Sequence, residues 1–179
     1  MKEFLEKLST YHFFNYLLPG VLFVILADKV ANYNLYQTDI IFGLFLYYFI
    51  GLIISRIGSQ VIEPILKRTK FVTFGDYKDF VLASKEDPKL EILSEVNNTY
   101  RTLCTLFFLL IVLKIYKLIE AIYPMIIGWN FYILSVVLFV MFLFSYKKQS
   151  EFIVARVKAN TKKDIGGKKP VSKSNTDQD

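Results

Sequence analysis

Apolar residues dominate four separated stretches of the chain, at residues 13–27, 40–54, 103–113 and 121–146, and charged residues gather between them. Within the third and fourth stretches, Phe107-Phe108-Leu109-Leu110-Ile111-Val112-Leu113 and residues 134–144 are apolar on every helical face. A helix in water needs a polar face, so these segments predict lipid surroundings. A hydrocarbon layer of about 30 Å asks for roughly 20 helical residues per crossing. The fourth stretch meets that alone, with 26 uncharged residues. The others reach it with Tyr11, His12, Tyr33, Tyr36 and Tyr116 at their ends. Tyrosine suits headgroup depth because its ring is apolar and its hydroxyl wet. The pattern predicts an all-α integral membrane protein with four transmembrane helices.

The same periodicity places six segments along the chain. Residues 1–12 put Phe4, Leu5, Leu8, Tyr11 and His12 on one face, opposite Lys2, Glu3, Glu6 and Lys7, which predicts an interfacial amphipathic helix. Residues 13–55 form the first pair of spans, with a kink or restart expected near Pro19. The second span does not stop at the membrane: Val61, Ile62, Ile65 and Leu66 continue a helical face past Ser55, with Glu63-Pro64 as a second candidate kink. Residues 56–101 make a helical region outside the membrane, in which Tyr77, Phe80 and Val81 mark a short helix. Asp87-Pro88 is a strong helix start, Asp as cap and Pro at the first turn. From there Leu90, Leu93, Asn97, Tyr100, Cys104, Phe107 and Ile111 recur at steps of three and four, predicting one helix from Pro88 to about Ile119. Residues 102–146 are the second pair of spans, joined by a tight connection around residues 120–128. Residues 147–165 extend the last helix, and the composition of 166–179 predicts a disordered basic tail.

Charge then orients the chain. Of 22 basic residues, eight fall in residues 56–101 and nine after Tyr146, while the connection 28–39 holds only Lys29. The positive-inside rule places both termini and the central segment in the cytoplasm. Lys114 and Lys117 fall at the opposite end, with Glu120 a local partner for Lys117. No cleavable signal peptide is evident, and the single Cys104 supports neither a disulfide framework nor a cysteine metal cluster.

The residues point away from catalysis. One His, one Cys, no phosphate loop, no HExxH and no GxSxG leave no nucleophile–base arrangement. No carboxylate lies in the middle of a span; Asp28, Asp39 and Glu120 all fall at outer ends. A buried membrane enzyme needs ionisable groups there, and they would stand out. No cofactor or metal is expected. Gly51, Ser55 and Ser59, with Gly58 adjacent, form a small-residue face for close helix packing, within the chain or between copies. Arg56, beside that face, is either an ordinary boundary residue or an ion-pair partner of Glu63 or of another subunit. Arg101 follows Asn97-Asn98-Thr99-Tyr100; two Arg and two Asn at one level would line a polar vestibule or a docking surface. The segment 56–101 balances eight basic against seven acidic residues, which suits protein docking. Its candidate partner-binding residues are Arg56, Glu63, Lys67, Arg68, Tyr77, Asn97, Asn98 and Arg101. The tail from Lys147, with nine basic and four acidic residues, suits anionic lipid headgroups or an acidic partner; no sequence-specific nucleic-acid binding is expected.

Three strings taken together, Phe14-Asn15-Tyr16-Leu17-Leu18-Pro19-Gly20, Gly51…Ser55-Arg56-Ile57-Gly58-Ser59…Glu63-Pro64 and Asn97-Asn98-Thr99-Tyr100-Arg101-Thr102, carry a resemblance. In this order, over most of residues 11–148, the chain resembles the small membrane subunit of the bacterial two-gene Kiwa anti-phage system. The resemblance implies a homo-oligomer of the inner membrane that senses infection and holds a cytosolic, DNA-binding effector. The expected function is thus a non-enzymatic scaffold or sensor. The alternative is a pore-forming or membrane-perturbing effector, for which Asn15 and Asn130 are sparse as a polar stripe.

Overall fold

The computed structural model describes residues 10–166. The interfacial helix expected over residues 1–12 therefore lies outside the described residues except for its last turn, and so does the tail from residue 167. Four helices are long and apolar enough to cross a membrane: α1 (Thr10–Ala31), α2 (Ile40–Arg68), α4 (Lys89–Ile122) and the fourth, within Pro124–Lys158. A shorter helix α3 (Tyr77–Glu86) precedes α4, and the last helix, α5, runs Asn130–Gly166 after a tight 3-10 turn at Pro124–Trp129. No strand occurs among the described residues. The chain is a multi-pass helical membrane protein.

Local chemistry sets most of the ends. Asn32, in the left-handed conformation (φ 56°), closes α1 and donates its N–H to the Asp28 carbonyl at 2.9 Å. The Asp39 side chain starts α2 by accepting the Phe42 N–H at 2.8 Å. Asp87 performs the same task for α4, accepting the Lys89 N–H at 3.0 Å. α4 runs on to Ile122, three residues past the expected end, and at 34 residues is about 51 Å long. That exceeds the hydrocarbon layer, so α4 protrudes.

Pro19 and Pro64 do not interrupt their helices. Each is preceded by a π-helical turn, Phe13–Leu17 in α1 and Gly58–Ile62 in α2. The residue just before each proline bonds five residues back: Leu18 N–H to the Phe13 carbonyl, Glu63 N–H to the Gly58 carbonyl. The widened turn absorbs the missing donor and the bulk of the proline ring, so the helix continues. It also adds one residue to the turn, which rotates the rest of the helix by about 100°.

The helices divide three against one. Ala27 of α1, Ile54 of α2 and Leu106 and Leu110 of α4 form the buried centre, with Leu22, Phe23, Leu26, Ile50, Leu109 and Leu113 packed around it. One third of the apolar length of α1 is buried but only 6% of that of the fourth span. α4 therefore packs chiefly on α1 and α2, and α5 leans on the bundle from outside, burying only Met141 in its apolar length. Lipid is as apolar as leucine, so close approach and polar contacts must hold such helices together. The closest approach is α1 on α2. A Cβ on Gly20 would lie 1.8 Å from the Tyr47 carbonyl oxygen, and one on Gly51 would lie 1.7 Å from that of Tyr16.

Beyond the apolar lengths, the continuations of α2, α4 and α5 and the whole of α3 sit at one end of the molecule. Tyr77 packs its ring on Phe152 of α5 at 5.3 Å, and Val81 is buried beneath α3. The short connections at residues 32–39 and 123–129 lie at the other end.

Candidate functional site

Three polar layers cross the bundle. The deepest centres on Asn15, fully buried in the π turn of α1. Its amide nitrogen donates to Ser55 Oγ of α2 and to the Tyr11 hydroxyl, both at 3.1 Å. Its Oδ1 accepts the hydroxyl of Thr102 of α4 at 2.9 Å, a proton Thr102 shares with the Asn98 carbonyl of its own helix at 2.8 Å. Every polar atom of the carboxamide is thus satisfied, which a buried amide in lipid requires. Next to this layer, His12 Nδ1 and the Tyr48 hydroxyl meet at 2.6 Å; the Tyr48 ring lies parallel to the imidazole, and Tyr11 and Tyr16 pack edge-on to it.

The second layer lies where α2 and α4 leave the apolar length. Glu63 gathers three cations: Lys67 at 2.8 Å, Arg101 at 2.5 Å and Lys148 of α5 at 3.9 Å. Lys148 also donates to the Ser59 carbonyl and hydroxyl at 2.6 and 2.7 Å. Gln60 reaches α5 too, donating to the Met141 carbonyl at 3.1 Å and to Ser145 Oγ at 2.5 Å. This layer supplies most of the polar attachment of α5.

The third layer closes the opposite end. Glu120, 3% exposed, accepts from Lys117 at 3.0 Å and from the Asn130 amide at 2.6 Å, and the Tyr116 hydroxyl donates to Asn130 Oδ1 at 2.6 Å. Lys117 also stands 4.8 Å above the Tyr33 ring. Enclosure of the Tyr33 phenol, then the nearby Glu120 carboxylate, push its pKa well above the ordinary tyrosine value.

The residues singled out from sequence distribute unevenly over these layers. The small-residue face is used within the chain: Gly51 by Tyr16, Ser55 by Asn15, Ser59 by Lys148, and Gly58 by Thr105, whose Oγ1 would lie 2.6 Å from an added Cβ. Glu63 pairs with Arg101 across helices, and the pairing of Arg56 with Glu63 does not form; the π turn at Gly58–Ile62 changes the face on which Glu63 leaves α2. Of the two Arg and two Asn expected at one level, Arg56 and Arg101 both lie within electrostatic reach of Lys148. Arg101 turns toward Glu63, Asn97 is exposed, and no hydrogen bond links either asparagine side chain to an arginine among the described residues. Lys67 is held by Glu63 and lies 4.1 Å over the Phe74 ring, Tyr77 is half-buried against Phe152, and Arg68 is exposed.

Asn15, Gln60 and Lys148 organise the layers yet lack a sequence signature of their own. One regularity marks two of them. Asn15 and Gln60 each stand four residues before a proline, within a π turn, and each sends its carboxamide to a neighbouring helix. A proline deprives the residue four before it of its helical partner, and the widened turn frees that side chain to reach sideways.

These layers can pin helices, and they can place a fixed charge at a membrane boundary. No group of three or more His, Cys, Asp or Glu with metal-ligating geometry occurs among the described residues. No protein-family model, curated protein or solved structure matches the chain.

Proposed function

We propose that this protein is a non-enzymatic scaffold or sensor of the bacterial inner membrane, with both termini in the cytoplasm, where it recruits a soluble partner. The observation that carries this reading is the apolar surface left on the helices after they leave the lipid-sized core. Leu93 (62% exposed), Val96 and Tyr100 of α4, Phe71 and Phe74 of the connection and Ile153 and Val157 of α5 are all exposed. Leu93, Val96 and Tyr100 share one face of α4, and an apolar stripe exposed to water marks an interaction site. Nearby exposed charges, Arg68, Lys70 and Glu91, provide a polar rim. The resemblance to the Kiwa membrane subunit fits this reading and would make the partner a DNA-binding anti-phage effector, with the membrane subunit acting as a homo-oligomer.

The pore-forming alternative needs a continuous polar stripe facing a lumen. The intramembrane polar groups observed here are instead spent on one another, at Asn15, Ser55 and Thr102. A photo-crosslinking amino acid at Arg68 or Leu93 tests the docking reading in living cells. A discrete adduct with one soluble protein is expected at both positions and none at Leu35. Absence of the adduct, or dye release from vesicles carrying the purified chain, would sink the scaffold reading.

A further inference from the structure

The loose seating of α5 leaves a crevice of about 850 Å³ between it and α2. Its walls are Ile57, Val61 and Pro64 on one side and Val136, Val140 and Phe144 on the other. Along α5 the apolar lining runs from Val136 toward Lys147, about 16 Å at the helical rise. Lys147, Lys148, Ser59 and Gln60 sit at the polar end. The crevice is therefore amphipathic along its length, apolar at membrane depth and basic where the second polar layer begins.

Charge decides what fits. Lys67, Arg101 and Lys148 all draw on the single carboxylate of Glu63, and Arg56 lies within electrostatic reach of Lys148. Lys147, exposed at the mouth, forms no ion pair among the described residues, and Glu151 is the one carboxylate lining the crevice. Cations outnumber carboxylates at this level, and their attraction is strengthened by the low-dielectric apolar wall beneath. A phosphate group answers the surplus, and an acyl chain answers the apolar lining.

We propose that this crevice is a binding site for an anionic phospholipid, with one acyl chain between α2 and α5 and the phosphate at Lys147 and Lys148. A bound lipid would complete the attachment of α5, the helix that buries least of itself in the protein. Membrane composition would then set how firmly α5 is held. Basic pockets between membrane helices recognise anionic headgroups in this way.

Thermal unfolding of the purified full chain in detergent tests the site, with additions of phosphatidylglycerol, phosphatidylcholine or inorganic phosphate. Phosphatidylglycerol is expected to raise the Tm well beyond the effect of phosphatidylcholine, and inorganic phosphate to leave it unchanged. Lys147→Gln should at least halve the phosphatidylglycerol shift, and Val140→Trp, which fills the crevice, should abolish it. Both side chains are exposed, so the lipid-free Tm should match that of the parent; Val136→Trp replaces the second variant if it does not fold. Equal shifts from both lipids, a shift from phosphate alone, or an undiminished shift in the variants overturns the proposal. So does a dimer that occupies the crevice and ignores phosphatidylglycerol, read by light scattering.

Discussion

The carboxamide of Asn15 and the hydroxyl of Thr102, from α1 and α4, meet at 2.9 Å inside the apolar bundle. Ser55 of α2 completes the contact from the third helix. Three spans are therefore joined at one buried point, and the residue that joins them sits in a π turn kept open ahead of Pro19. Hydrogen bonds within membranes average well under 1 kcal/mol, because the unfolded helices find other partners. A hub with several bonds differs, since removing it leaves buried groups short of partners.

Asn15→Leu should accordingly destabilise the bundle by about 1–2 kcal/mol through the loss of its bonds to Ser55 and Thr102, although Thr102 keeps the Asn98 carbonyl. Thr102→Val should cost at least as much, because it strands the buried Asn15 Oδ1, while Ser55 and Tyr11 hold only the amide nitrogen. Reversible unfolding in mixed detergent micelles measures both. Negligible losses would mean that the layer is incidental to stability.

Glycine substitutions should separate sharply by position. Gly20→Ala and Gly51→Ala drive a Cβ to within 1.8 and 1.7 Å of backbone oxygens, which only a shift of a whole helix can relieve. Gly43→Ala meets nothing nearer than 3.5 Å, and Gly75 and Gly128 face open space. The first two should lose several kcal/mol, as overpacked sites do, or fail to accumulate in the membrane. The other three should express and unfold as the parent does. An intact Gly51→Ala protein with unchanged stability would contradict the α1–α2 crossing.

Much of this architecture is legible in the sequence because it rests on local chemistry. Asp87-Pro88 starts α4 where its cap and proline place it, and the all-round apolar strings mark spans because no soluble helix tolerates them. Glu63 is harder. Spacing along α2 suggests Arg56 as a partner, but the π turn alters the face and Arg101, 38 positions away, takes the carboxylate. Asn15 and Gln60 are similarly opaque, since neither a lone amide in an apolar run nor a glutamine among small and charged residues shows its turn or its target. Their common placement four residues before a proline is the only local trace. The looseness of α5 is invisible too, because its sequence is as apolar as that of a well-packed span and lipid satisfies it equally.

Glu63→Gln should weaken the hold on α5. Arg101 and Lys148 would face each other without the carboxylate between them, although Lys148 keeps its bonds to Ser59. Breaking a buried pair by removing one partner costs about 3–5 kcal/mol. Glu63 lies at a boundary with Lys67 partly exposed, so a loss of roughly 2 kcal/mol is the better expectation, falling as salt screens the parent pairing. Hydrogen exchange should rise in α5 near Ser145 more than in α1. Uniform acceleration through all four spans would show that Glu63 serves global stability rather than α5.

Orientation is open to a direct chemical test. Cys104 is exposed on the apolar length of α4, so it is first replaced by Ser to clear the background. Single cysteines then go in at Leu35, in the short α1–α2 connection, and at Lys85, in α3. The excess of Lys and Arg in residues 56–101 predicts that α3 lies in the cytoplasm. A membrane-impermeant maleimide added to intact spheroplasts should therefore label Leu35→Cys and spare Lys85→Cys, and lysis should make the second reactive. The reverse pattern would place the exposed apolar surface of α3, α4 and α5 outside the cell, where no cytosolic partner could reach it.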